Sequence, residues 1–528
     1  MDAFDIVVIG GGSGGSAAAG RLSEDGKYSV CLIEAGSANN SWRIIAPGML
    51  PFLPKPSNWR FETVPQKGLN GRPGYQPRGK GLGGSSAVNA MLYVRGCAWD
   101  YDNWAALGAT GWSYKDVLPV FRRAEANVRG EDKFHGGSGP LSVSDQLWPN
   151  PGSVDFVDAA AELQLPRNAD FNGEKFEGVG VYQVTQKQGE RWTAARAYVL
   201  PQQAAGRLHV ETGAQVEKIL IENGRATGVR IRQGRTSRTI TANRAVILSA
   251  GAFGTPQILM LSGVGPADHL KEHGIEVLVD RPEVGGNLQD HIDYVASFKT
   301  GGNVFTGTSL SSSWRFLKSI FEWRSKRTGT LTTPYAESGG FAKTRPDVAV
   351  PDVQFHFVPA MLEDHGRESV SGVGYSIHVC VLRPESRGTV RLASADPMAA
   401  PLIDPNFLDD DRDMAVLRAG VKLVHRIVAA PPLAKHKGID RHATPLEDDA
   451  ALDQLIRNRA DTVYHPVGTA RMGSDDQAVC DPQLRVRGVE GLYVADASVM
   501  PRVVSGNTNA PTIMIGERCA DFVRADLA

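Results

Sequence analysis

The sequence predicts an α/β protein with two sheets: a parallel sheet assembled from distant pieces of the chain, and a mostly antiparallel sheet flanked by helices. Three observations predict it. Phe4–Ile9 is apolar, β-branched and ends in Gly10, the mark of a strand buried on both faces. Similar strands recur at Ser29–Glu34, at Arg244–Gly251 and at Gly491–Ser498, each running into a Gly or an acid. Between them, Val353–Phe357 and Tyr375–Leu382 alternate apolar and polar residues, as half-buried antiparallel strands do.

The elements follow in order. Ser16–Leu22 reads as a helix closed near Gly26, so 4–34 forms a strand–turn–helix–strand unit. Residues 37–78 are rich in Pro and Gly and read as irregular. The stretch 205–250 is strand-rich, with Val210, Val216–Ile221, Val229–Arg232 and Thr239–Ala242 separated by Gly and Asn. Gly251-Ala-Phe-Gly-Thr-Pro256 opens a helix, with the proline expected in its first turn. A further helix follows Asp411, with Met414, Leu417, Val421 and Val424 on one face. The expected division is a discontinuous first domain of 1–150, 195–300 and 460–528, and a second of 151–194 and 301–459.

Composition excludes several classes. With 57 basic and 58 acidic residues the net charge is −1, so no surplus of cations exists for binding a polyanion. Apolar residues at 42% allow an ordinary core in a chain of 528 residues. The five cysteines are widely spaced and form no CxxC, which argues against a disulfide framework or a zinc ribbon. Asp290-His291 has no third ligand at a recognisable spacing, so no metal is expected. No stretch reaches the roughly 18 apolar residues of a membrane span. The expected location is cytoplasmic, with peripheral membrane association open.

The chemistry concentrates in a few motifs. Gly10-x-Gly12-x-x-Gly15 permits a tight turn, close approach of a pyrophosphate and close packing of helix on strand. Glu34 lies 19 residues beyond Gly15, where a carboxylate accepts hydrogen bonds from a ribose diol. That much leaves NAD and FAD both open. A second Gly/Ser-rich loop, Arg78–Ala90, suits a longer cofactor with a tricyclic ring. Asp496 ends a strand at the carboxyl edge of the parallel sheet, where ligands of such folds bind. Near the C-terminus, Tyr464-His465-Pro466 and Ser505-Gly-Asn507-Thr508-Asn509-Ala-Pro511 form the densest polar signal.

Taken in order, GGGSGG, LIEAG, GKGLGGSSAVN, SAGAFGTPQILMLSGVGP, GGNLQDH, YHPVGTARMG, VADASVMP and GNTNAPT give the chain a specific likeness. From about Phe4 to Arg524 it resembles the glucose-methanol-choline (GMC) oxidoreductases, most closely their choline dehydrogenase and bacterial alcohol dehydrogenase branch. The resemblance implies a Rossmann-like FAD-binding domain plus a substrate domain. It places FAD against Gly10, Gly12, Ser13, Gly14, Gly15, Glu34 and Ala35, with adenine near Val216. It places the pyrophosphate and flavin edge along Gly83, Gly84, Ser85, Asn89 and Ala90. Ala250, Gly251, Asp496, Ala497, Asn507 and Thr508 complete the cofactor contacts. Val88 stands where some members tether the flavin through His, so FAD is expected to be non-covalent.

The resemblance also makes His465 the active-site base and Asn509 its partner. The implied reaction is oxidation of a primary alcohol to an aldehyde, with a quinone-type electron acceptor. An oxygen-using oxidase and a FAD-containing hydroxynitrile lyase are the alternatives, and the alcohol itself is left open. Two weaker signals remain. Residues 309–328 form a basic amphipathic stretch that reads as a surface helix, a lid or a membrane contact. Glu337 reads as facing the substrate pocket or as a solvated loop carboxylate.

Overall fold

The structure, a computed structural model, describes residues 2–307, 310–363 and 370–528. In chain order the first unit is β1 (Ala3–Ile9), α1 (Ser13–Ser23) and β2 (Val30–Glu34). Then come α2 (Pro151–Glu162), β3 (Gly178–Val181), β4 (Leu208–Thr212), β5 (Ala214–Glu222), β6 (Arg225–Gln233), β7 (Thr236–Leu248) and α3 (Gly251–Leu261). Next are β8 (Ile292–Thr300), α4 (Leu310–Lys326), β9 (Ser338–Ala342), β10 (Val353–Val358), β11 (Val373–Val381) and α5 (Asp411–Ala429). The chain closes with β12 (Ile439–Asp440), β13 (Asp461–Thr462), β14 (Leu492–Val494) and α6 (Asn509–Asp526).

One sheet runs β4-β2-β1-β7-β6-β5, with β14 paired to the end of β7. Its β4, β2, β1, β7 and β14 pairings are parallel, and β5, β6 and β7 form an antiparallel meander. The central strands are buried on both faces, which their unbroken apolar runs require. The second sheet runs β12-β8-β11-β10-β9-β3, with β13 paired to β8, and is antiparallel throughout. Helices α2 and α5 cover one of its faces through Phe156, Met414, Leu417, Val421 and Val424.

Two expectations change here. Strand β8 lies within the second sheet, so the expected boundary at residue 300 falls at the far end of a strand that belongs with 301–459. The cause is pairing along its full length with β11, from Asp293–Cys380 to Thr300–Val373. Pro256 sits six residues into α3 rather than in its first turn. Proline cannot donate to the carbonyl four residues back. The Ala252 carbonyl instead accepts the hydroxyl of Thr469 at 2.7 Å, which ties α3 to the loop after His465.

Replacing Thr469 by Val leaves that carbonyl buried without a donor, a cost of about 1–3 kcal/mol. A lowered denaturation midpoint is the expected result, read by chemical unfolding of the holoprotein. An unchanged midpoint contradicts the role assigned to this hydroxyl.

Candidate active site

The parallel sheet delivers its functional turns to one edge. Gly10 follows β1 with φ at +94°, and Glu34 ends β2. Ala250 and Gly251 follow β7, and Asp496 follows β14. The packing explains the glycines. A Cβ at Gly14 would lie 1.9 Å from the Ala495 carbonyl oxygen, and one at Gly15 would lie 2.0 Å from that of Gly10. Gly12 differs, because a Cβ there would meet nothing within 4 Å. The second Gly-rich loop lies directly beside the first, with Gly83 N–H donating to the Gly11 carbonyl at 2.7 Å.

Two helices begin at this place. Neither α1 nor α6 has a side-chain cap or an acid in its first turn. Their starts are joined by the Ser13 hydroxyl, which donates to Asn509 Oδ1 at 2.7 Å. The first-turn N–H groups of both helices are therefore free to meet an anion, and both helix dipoles favour one. Around them, Gly12, Ser13, Ala35, Ser85, Val88, Asn89, Ala90, Ala250, Gly251, Ala497, Asn507, Thr508 and Asn509 are half-buried although they sit beside fully buried segments. This arrangement fits a long cofactor carrying a pyrophosphate, which these residues would hold.

Two carboxylates expected to contact that cofactor are hydrogen-bonded within the chain. Glu34 accepts N–H from Gly11 on one oxygen at 2.9 Å, and from Gly36 and Gly81 on the other at 2.8 and 2.9 Å. It thus clamps the two Gly-rich loops together, while burial pushes its pKa up. Asp496 accepts from Gly251 N–H at 2.8 Å, from the Thr255 hydroxyl at 2.6 Å and from Ser498 N–H at 2.8 Å. It caps the start of α3 and the turn that follows it. Val216 lies on β5 and is buried.

His465 is placed by the second sheet. Thr462 pairs with Ile292, and Val463 N–H donates to the His291 carbonyl at 3.1 Å. Tyr464 has φ at +72°, a costly conformation for a bulky side chain. Its carbonyl accepts from Arg78 at 2.7 Å, and its N–H donates to the Thr462 hydroxyl at 2.7 Å. Asp290 accepts His465 N–H at 2.7 Å and the Thr462 hydroxyl at 2.5 Å. Burial pushes Asp290 up to about 6 despite these donors and the Arg78 charge. Pro466 further confines His465 to extended backbone.

The imidazole itself is ordered by a second histidine. His291 Nε2 faces the Leu382 carbonyl at 3.0 Å, so this nitrogen carries the proton. His291 Nδ1 is then an acceptor, and it lies 3.0 Å from His465 Nδ1. His465 must donate from Nδ1, which leaves its Nε2 lone pair unprotonated. Burial, then the neighbouring His291 and His356 and the Arg78 guanidinium, hold His465 well below the ordinary histidine range. Burial likewise brings His291 down to about 4. The outcome is a neutral imidazole presenting a lone pair.

The side chain facing that lone pair is Asn507, with Nδ2 3.3 Å from His465 Nε2. This corrects the expected pairing of His465 with Asn509. Asn509 is the first residue of α6, and its amide oxygen is engaged by Ser13 at the helix starts. Glu337 is also reassigned. It is buried and accepts from Asn150 N–H, Ser153 and Thr333, anchoring the start of α2. Sequence reasoning missed His291, Asp290, Arg78 and Gln354. GGNLQDH carried the first two, and only the sheet register brings them to His465.

Comparison with known proteins places the whole chain within one family. A family model described as GMC oxidoreductase, N-terminal part, matches residues 4–293, and its C-terminal counterpart matches 384–516. An "alcohol dehydrogenase [acceptor]" of Pseudomonas putida is 45% identical, over 99% of this chain and 97% of that protein. Human mitochondrial choline dehydrogenase is 41% identical, over 100% of this chain and 91% of that protein. Among solved structures, pyridoxine 4-oxidase from Mesorbium loti superposes with a TM-score of 0.88 at 30% identity, covering 98% of both chains. A formate oxidase of Aspergillus oryzae, solved in a study of FAD modification, gives 0.92 at 26% identity, covering 99% of this chain and 98% of that one.

Glu34→Gln offers one amide oxygen where two carboxylate oxygens take three N–H groups. With charged hydrogen bonds contributing about 1.5–3 kcal/mol, FAD affinity is expected to fall roughly 10- to 100-fold. Titration of apoprotein with FAD, followed by flavin fluorescence, measures it. Wild-type affinity in this variant contradicts the clamp.

Proposed function

The chain belongs to the GMC oxidoreductase family, and from that membership we propose that it is a FAD-dependent dehydrogenase oxidising a primary alcohol to an aldehyde, with a quinone-type final acceptor. FAD, when bound, would supply the two-electron, hydride-accepting chemistry of its flavin N5. Everything else is work for the protein. An alcohol releases hydride readily only as its hydroxyl proton leaves. His465 Nε2 is the base that takes this proton, and Asn507 Nδ2 donates to the oxygen as it becomes alkoxide-like. The single observation supporting this is the placement of His465, with Nε2 beside the Asn507 amide and Nδ1 turned to His291.

The cofactor would be held through the starts of α1 and α6 and the paired Gly-rich loops. Val88 offers no nucleophile for a tether, so denaturation should release FAD intact. Both solved relatives named above carry "oxidase" in their names, and this favours oxygen as the second reading for the acceptor. Steady-state assays with oxygen alone and with added quinone separate the two. A lyase would leave the flavin unbleached by alcohol under anaerobic conditions.

Anaerobic mixing of the holoprotein with a panel of primary alcohols should bleach the flavin. His465→Ala should keep its FAD and bleach about 10²–10⁴-fold more slowly. Bleaching at the wild-type rate in that variant removes His465 as the base.

A peripheral membrane contact belongs to the same reading, because quinones reside in lipid. Residue 309 lies outside the described residues. From Trp314 onward, α4 packs inward through Phe316, Ile320 and the buried Trp323. Outward it exposes Trp314 at 70%, Leu317 at 45% and Phe321 at 68%, beside exposed Arg315, Lys318, Arg324 and Lys326. Aromatic residues ringed by cations suit an anionic lipid surface. Among the described residues no helix is long and apolar enough to cross a membrane. The holoprotein should co-sediment with phosphatidylglycerol vesicles, and Trp314→Ser/Phe321→Ser should lose most of that binding. Equal sedimentation of both proteins removes the contact.

A further inference from the structure

We propose that Gln354 is a positioning residue for proton transfer: pinned by Tyr182, its amide decides which end of the Asn507 amide faces His465. The inference rests on the reading of His465 as base, and it concerns a residue one step removed from His465, reaching it through Asn507.

The orientation of Gln354 is set at a backbone carbonyl remote from the imidazole. The Tyr182 hydroxyl donates to the Phe355 carbonyl at 2.7 Å. A phenol has one hydrogen, so toward any other neighbour Tyr182 only accepts. Gln354 meets it with Nε2 at 3.4 Å. The second hydrogen on the same nitrogen goes to Asn507 Oδ1 at 3.2 Å. Asn507 must then turn Nδ2 toward His465 Nε2. Read from the opposite end, the Leu382 carbonyl fixes His291, and His291 fixes His465, with a lone pair on Nε2. The two hydrogen-bond paths share no atom until they meet between Asn507 and His465, and there their polarities agree.

Both ends of the chain are main-chain carbonyls, which neither titrate nor rotate. The phenol end is also enclosed. A Cβ at Gly339 would lie 2.6 Å from the Tyr182 oxygen and 2.0 Å from the Phe355 carbonyl oxygen. Gln354 is fully buried on β10, and its Oε1 has no partner among the described residues. Flipping Gln354 would set Oε1 against the acceptor face of Tyr182 and against Asn507 Oδ1. The amide therefore stays as it is.

This polarity has a chemical consequence. Once His465 takes a proton on Nε2, that nitrogen becomes a donor facing another donor, Asn507 Nδ2. With Gln354 pinned, Asn507 cannot reverse to receive it. The site is thus polarised toward the unprotonated base and disfavours keeping the proton. The titratable and charged groups around His465 act with it: His291 ahead of β8, His356 on β10, and Arg78 each disfavour added positive charge, and Asp290 holds the backbone N–H.

Gln354→Glu tests the proposal with an isosteric side chain that cannot donate from an ionised carboxylate. Asn507 is then expected to reverse and offer Oδ1 to His465, stabilising Nε2–H. The acid limb of the pH profile for flavin reduction should move up by at least one unit, with about tenfold slower reduction wherever the limb now crosses the assay pH. In the resting holoprotein, the ¹⁵N signal of His465 Nε2 should move from the pyridine-like toward the pyrrole-like range. Gln354→Met, of similar volume and without a donor, should slow reduction and broaden or split that signal. FAD content and melting temperature report whether each variant folds. A folded Gln354→Met protein with the wild-type limb and the wild-type Nε2 signal overturns the proposal, as does such a Gln354→Glu protein at a pH where its carboxyl is ionised. Should no alcohol bleach the wild-type flavin, the functional reading fails instead, and the ¹⁵N signals still decide the orientation.

Discussion

A neutral imidazole has one N–H and one lone pair, and the candidate site depends on which nitrogen holds which. Two adjacent histidines make that choice together. His291 spends its proton on the Leu382 carbonyl, which forces His465 to donate inward and to present its lone pair to Asn507. No charged partner is needed for this, and a carboxylate in place of His291 would act differently. It would raise the basicity of His465, whereas the buried, uncharged neighbour sets its tautomer and leaves its affinity for protons low. The base is weak in its resting surroundings, so the proton it takes is also easily lost.

The two sheets supply different halves of this arrangement. The antiparallel sheet brings His291, Gln354 and Leu382 into register and, through the short pairing of β13 with β8, carries His465 to them. The parallel sheet and its connections bring Asn507, two uncapped helix starts and the paired Gly-rich loops. The hydrogen bond from Ser13 to Asn509 joins chain segments 496 positions apart. A cofactor lying across that junction would be gripped by the first sheet and face the second.

Much of this was legible in the sequence, and the rest was hidden for identifiable reasons. The parallel strands showed because both their faces are buried, which writes an unbroken apolar run ending in Gly or an acid. The glycine turn showed because close backbone contacts exclude every side chain at Gly14 and Gly15. The partner of His465 was misplaced by two residues within Asn507-Thr508-Asn509. Residues 507 and 509 flank the point where α6 begins, and only the backbone turn there decides which amide faces the imidazole and which faces Ser13. Strand β8 was assigned to the wrong side of a boundary because its pairing partners lie some 80 residues downstream. Tyr182 and Gln354 gave no local signal, since their role exists only across strands.

The acidic residues make the same point more sharply. Reading a carboxylate at a sheet edge as a ligand contact is reasonable, because a buried charge needs a partner. In this protein Glu34, Asp290, Glu337 and Asp496 find those partners in their own chain: backbone N–H groups and hydroxyls at the starts of turns and helices. Each such group fixes a backbone path, and the path then aims another residue. Asp290 shows the division of labour. Its oxygens bind Thr462 and the His465 N–H, which together hold Tyr464 in its strained conformation and point the imidazole at Asn507. The negative charge is therefore spent on position. Chemistry at the proposed base is left to neutral groups whose hydrogen bonds each run in one direction.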